Sequence, residues 1–111
     1  MLKRNYIGEM ELMVLLAVVH PEGDAYGVQI SKSIEQASGR EVSLASVYVA
    51  LERLERKGLI TSTLGEPTPQ RGGRARTYFK PTASGLKEAR AACSTLNRLS
   101  GGLADLRGTF A

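Results

Sequence analysis

At 111 residues, 42% hydrophobic and 23% charged, the chain fits one compact folded domain and excludes general disorder. Its formal net charge is +4, and Arg71, Arg74, Arg76 and Lys80 lie close together with no acidic residue among them; without these four the chain balances at 11 basic against 11 acidic residues, so the excess is focused where an anionic partner would respond to it. A lone cysteine, Cys93, cannot form an internal disulfide, nothing resembles a secretion signal, and the apolar run 12–19 is far shorter than a membrane span, so a cytoplasmic setting is expected.

The first helix is expected over Gly8–His20. Glu9 and Glu11 suit its positive first turn, and Pro21 and Gly23 end it. Leu12, Leu15, Leu16 and Val19 make an apolar stripe, but the other faces are apolar too, which predicts burial on more than one side. Asp24 is the expected N-cap of a second helix, Ala25–Ala37, in which Tyr26, Ile30 and Ile34 recur at helical spacing and which Gly39 stops. Core packing is the simpler role for Tyr26. Ser43 reads as the N-cap of a third helix, Leu44–Lys57. Its stripe of Leu44, Val47, Leu51 and Leu54 faces inward, Ser46, Val49, Arg53 and Arg56 lie opposite, and Gly58 ends it.

From Leu59 the pattern changes. Residues 59–64 and 77–80 read as two strands of a hairpin, with a long basic tip rich in proline and glycine between them. Tyr78 and Phe79 alternate faces, so at most one points inward. Thr82 caps a fourth helix over Ala83–Ser100. In it Leu86, Ala89, Cys93, Leu96, Ser100 and Leu103 keep the 3, 4 spacing of a coiled-coil seam, and Gly101–Gly102 should interrupt it.

Three helices, a basic hairpin and a long helix predict an α+β fold: a winged helix-turn-helix over residues 1–81 and a C-terminal dimerisation helix and tail over 82–111. The second helix of such a unit enters the major groove with its N-terminal residues first. The candidate DNA contacts are therefore Ser43, Ser46, Tyr48 and Arg53 on the third helix, and Arg71, Gly73, Arg74 and Arg76 on the wing. Arginines there can follow phosphates or a narrow minor groove, and glycine lets backbone approach a phosphate closely. Each has a plainer reading: capping for Ser43, partial core packing for Tyr48, a surface ion pair for Arg53, a solvated loop for the wing. The candidate dimer seam is Leu86, Ala89, Cys93, Leu96 and Leu103.

Five segments in order resemble the PadR-like transcriptional regulators: IGEMELMVLLAV in the first helix, AYGVQISKSIE in the second, VSLASVYVALERLERKGLI in the third, GGRARTYF at the wing and TASG opening the fourth. The resemblance covers roughly residues 7–90. It implies a winged-helix homodimer, assembled through the fourth helix together with the first, that usually represses transcription and often releases DNA when a small molecule binds. Val49 departs from the family pattern, which has proline there. The short chain resembles members without a large C-terminal effector domain.

Other chemistries find little footing. His20 is the sole histidine, and with Cys93 it can neither fill a zinc shell nor complete a catalytic triad; no phosphate loop or dinucleotide fingerprint is present. No cofactor, metal or catalytic residue is expected. The main rival is a protein-binding winged helix that dimerises or bridges without reading DNA. Duplex RNA is a lesser one, because its deep, narrow major groove does not admit a helix.

Overall fold

The computed structural model of the chain describes residues 7–19, 25–66 and 75–106. Within them, in chain order, are α1 (Glu9–Val19), α2 (Gly27–Ser38), α3 (Leu44–Arg56), β1 (Ile60–Leu64), β2 (Thr77–Pro81) and α4 (Ala83–Asp105). As its all-round apolar character predicts, α1 is central, touching α2, α3, α4 and β2. Its most buried residues are Val14, Leu15 and Val18, and Leu16, expected in the inward stripe, is 40% exposed. The core continues through Ile30 and Ile34 of α2, Val47, Ala50, Leu51 and Leu54 of α3, Leu59, Ile60 and Phe79 of the hairpin, and Ala89 of α4.

The turn between α2 and α3 is held by short-range bonds. Gly39 takes φ 72° as the left-handed C-cap of α2, and its N–H donates to the Glu35 carbonyl at 2.8 Å. Val42 is then clipped twice to α2: its N–H donates to Glu35 Oε2 at 2.9 Å, and its carbonyl accepts from Ser31 Oγ at 3.1 Å. Ser43 caps α3 as expected, accepting from the Ser46 N–H at 3.1 Å. At the far end Gly58 has φ 76°, and Lys57 Nζ reaches back to Glu11 Oε1 on α1 at 2.7 Å.

The start of α2 differs from the sequence expectation. Its N-cap is Tyr26, and Ala25 lies outside the helix; Asp24 is outside the described residues. Ala25 instead bridges to Phe79, whose N–H donates to the Ala25 carbonyl at 2.8 Å. Phe79 lies far along the chain, so local capping preference lost to a pairing that only the fold creates. The Tyr26 N–H is satisfied by Gln29 Oε1 at 3.3 Å, and its phenol makes no cap bond.

Strands β1 and β2 pair antiparallel, from Ile60 opposite Pro81 to Leu64 opposite Thr77. Phe79 faces the core and Tyr78 the other side. The chain then turns at Thr82, which caps α4, bonding the Gly85 N–H at 3.0 Å, and donates to the Gly58 carbonyl at 2.7 Å. Gly85 is buried against the backbone of Leu59, so closely that any Cβ would overlap the Leu59 carbonyl oxygen.

Beyond Ala92 every described side chain of α4 is exposed. At 1.5 Å per residue, 93–105 form an arm of about 20 Å. It raises the radius of gyration to 16.4 Å, against roughly 13 Å for a compact domain of this length. The helix runs through Gly101–Gly102, where an interruption was expected. Glycine weakens a helix by about 1 kcal/mol relative to alanine but keeps its backbone N–H, and nothing packed nearby forces a break.

Candidate nucleic-acid interface

With Val47, Ala50, Leu51 and Leu54 buried, the helical period places Ala45, Val49, Glu52 and Arg56 on the outermost line of α3. Ser46 and Arg53 flank it on the side of the start of α1, and Leu44 and Tyr48 on the other. Arg56 pairs with Glu52 at 2.8 Å in an exposed i, i+4 bridge. Arg53 is exposed, forms no ion pair among the described residues, and lines a shallow groove with Gly8–Glu11, Ser46 and Val49. The hydroxyl of Ser43 is engaged at the cap and donates to Ser46 Oγ at 2.8 Å, which leaves the Ser46 proton free to be donated outward.

On the other flank, Tyr48 is 46% exposed and its ring lies against Gly27, where a Cβ would collide with the phenol oxygen. Tyr48 therefore rests on the first turn of α2, whose N–H groups lack helical partners and carry the positive end of the helix dipole. A groove opens there, lined by Tyr26, Val28, Lys32, Tyr48 and Arg76. Its outer wall is the base of the wing. The Arg76 guanidinium sits 3.9 Å from the Tyr26 ring centre, and Tyr26 meets Tyr78 edge-on at 6.0 Å and 85°. Cation–π contact holds the arginine at the surface while leaving its N–H groups available.

Of the sequence-derived DNA contacts, the structure thus brings Ser46, Tyr48, Arg53 and Arg76 to one side of the molecule, with Ser43 beneath them as cap. Arg71, Gly73 and Arg74 lie outside the described residues. Tyr26 is half-buried at the wing base and not in the core, a placement no local signal in the sequence could give. Lys32 joins the same groove; the inward stripe of α2, which is its clearest sequence pattern, gives no sign of it.

The second exposed feature is the α4 arm. Leu96, Leu99, Leu103 and Leu106 are 54%, 74%, 70% and 44% exposed, an apolar line at 3, 4, 3 spacing. Leu96 and Leu103 belong to the expected seam; Leu99 and Leu106 join them, and Cys93 stands exposed at the edge. Leu86 is half-buried, and Ala89 is taken up by the chain's own core. A separate apolar groove of about 240 Å³ runs between α1 and α2, lined by Met13, Leu16, Ala17 and Ile34. Among the described residues no helix is long and apolar enough to cross a membrane, and no cluster of His, Cys, Asp or Glu is arranged to hold a metal.

A helix-turn-helix followed by a β-hairpin beside its second helix is a winged-helix DNA-binding fold. Residues 15–91 match the profile of the transcriptional regulator PadR-like family, and the chain belongs to that family. Solved structures agree. A transcriptional regulator from Clostridium thermocellum superposes with a TM-score of 0.68 at 29% identity, covering 86% of this chain and 87% of that one. A PadR family transcriptional regulator from Eggerthella lenta gives 0.68 at 26% identity, over 86% and 79%. A PadR family transcription regulator from Clostridium difficile gives 0.72 at 21% identity, over 94% and 100%, a likeness of fold alone. No curated relative matches the chain by sequence.

Proposed function

We propose that the protein is a homodimeric, sequence-specific repressor that binds a near-palindromic duplex operator through α3 and the wing. The observation that carries this reading is the exposed N-terminal half of α3, standing clear of the core between Arg53 on one flank and Tyr48, Lys32 and Arg76 on the other. A helix flanked on both sides by cations fits a major groove bordered by two rows of phosphates. Ser46 and its neighbours would meet base edges, with Tyr48, Arg53, Arg76 and the wing residues Arg71, Gly73 and Arg74 setting affinity and register. Residues 1–81 would act as the DNA-binding unit and 82–111 as the dimerisation arm. The exposed leucines of α4 and the apolar face of α1 support pairing of two copies, which would set the half-site spacing.

Release by a small molecule sensed where α4 meets α1 of the partner belongs to the same proposal, because that seam would fix the separation of the two recognition helices. A ligand shifts DNA affinity only through its preference for one dimer arrangement. If no compound in a broad screen alters operator affinity, effector release is wrong.

The central experiment is selection of genomic DNA fragments by the purified protein, then titration of the winner against salt for the wild type and an Arg71→Ala, Arg74→Ala, Arg76→Ala variant. A near-palindromic motif bound well above random duplex is expected. The variant's salt slope should be shallower by about 0.9 for each phosphate it no longer neutralises. No enrichment over random DNA at low salt would overturn sequence-specific binding in favour of a protein-bridging module. Repression is tested by a reporter driven from the selected promoter, whose output should rise when the gene is deleted.

A further inference from the structure

The first two turns of α3, residues 44–51, contain no Arg, Lys, Asn, Gln, Asp or Glu. The side chains that recognise guanine or adenine by paired hydrogen bonds are Arg and Lys, or Asn and Gln; here only the hydroxyls of Ser46 and Tyr48 can bond at all. The outermost positions are instead Ala45 and Val49, exposed one turn apart, with Val49 47% exposed. The nearest acid on that line, Glu52, is held by Arg56.

Bare hydrocarbon at the tip of a helix flanked by cations matches one feature of the major groove, the thymine C5-methyl, which is the groove's apolar mark on a base edge. Resting on the DNA-binding reading above, we propose that Ala45 and Val49 are specificity-determining residues that read thymine methyl groups, making each half-site depend on one or two thymines by methyl contact. The two residues are four apart, about 6 Å along the helix. That spans roughly two base-pair steps of about 3.4 Å, so the thymines read should lie within that distance of each other in each half-site. Ser46, beside this line, would add one hydrogen bond, and the flanking cations would hold the helix without favouring a sequence.

The test uses the operator obtained by selection, with each thymine exchanged singly for deoxyuridine, which removes only the methyl. Affinities are measured for the full-length wild type and for Val49→Ala, whose exposed position leaves the fold intact and whose thermal unfolding checks this. In the wild type, one or two exchanges per half-site should weaken binding about three- to fivefold each, the worth of one buried methyl. Val49→Ala should weaken binding to the thymine duplex by a similar factor and become insensitive to one of those exchanges. If the wild type binds its operator tightly yet no exchange alters affinity, or if Val49→Ala keeps the full sensitivity pattern, methyl reading is overturned while DNA binding stands. Failure to select any duplex overturns both.

Discussion

Two glycines bear on different properties through the same atomic fact, the absence of a Cβ. At Gly27 the space is taken by the Tyr48 phenol, the movable end of a side chain. Gly27→Ala should therefore fold with little change in melting temperature but swing Tyr48 off the first turn of α2. We expect operator affinity to fall several-fold, as measured by fluorescence anisotropy, and an unchanged affinity would remove Tyr48 from the interface. At Gly85 the space is taken by backbone, the Leu59 carbonyl, which cannot swing away. Gly85→Ala should destabilise the domain by about 1–3 kcal/mol, through forced separation of α4 from the hairpin. At about 4–8 °C per kcal/mol for a domain of this size, calorimetry will resolve that change.

At the scale of elements, the Glu11–Lys57 pair joins the first turn of α1 to the end of α3, with side-chain exposures of 13% and 27%. Partial burial makes it stronger than the open Glu52–Arg56 bridge, whose partners are 69–70% exposed. Glu11→Gln should lower stability by about 1–2 kcal/mol in urea unfolding, and Glu52→Gln by a few tenths at most. Equal effects would show that the burial adds nothing. What the sequence made legible at this scale was whatever is settled within a few residues. Ser43 and Thr82 were readable as caps because their bonds reach three residues ahead, and Gly39 and Gly58 as stops because a positive φ is a local demand. The start of α2 was not, because Ala25 answers to Phe79. Nor was the setting of Tyr26, which depends on Arg76 and Tyr78 arriving from the hairpin. The candidate site divides the same way. Ser46, Tyr48, Arg53 and Arg76 followed from helix phase and charge, whereas Lys32 needed the groove to be seen.

For the whole molecule, the proposed dimer raises the question of which surface would hold two copies together. The seam that spacing predicts, Leu86 to Leu103, is one straight line, but the root of α4 is spent on the chain's own core through Ala89. Only the outer arm of α4 is left uncovered, and Leu99 and Leu106, each three residues on from Leu96 and Leu103, widen its apolar face beyond the predicted seam. Leu99→Glu combined with Leu103→Glu should yield a folded monomer by sedimentation. Its operator affinity should fall by about two orders of magnitude or more, because a monomer engages one half-site at a time. A variant that remains dimeric would place the interface elsewhere, with the apolar groove between α1 and α2 the next surface to alter.

In the proposed dimer the arm would also act as a lever. Leaving the core near Ala92 and about 20 Å long, it converts a swing of about 10° at its root into about 3.5 Å at its tip. That is close to the rise of one base pair, about 3.4 Å. In a dimer clasped at the tips, the ratio runs in reverse: lengthening the operator's spacer by one pair would ask each hinge for only a few degrees. Such gearing would tolerate small changes of spacer length in translation, while the accompanying twist of the duplex, which no swing of the arm follows, would set the limit.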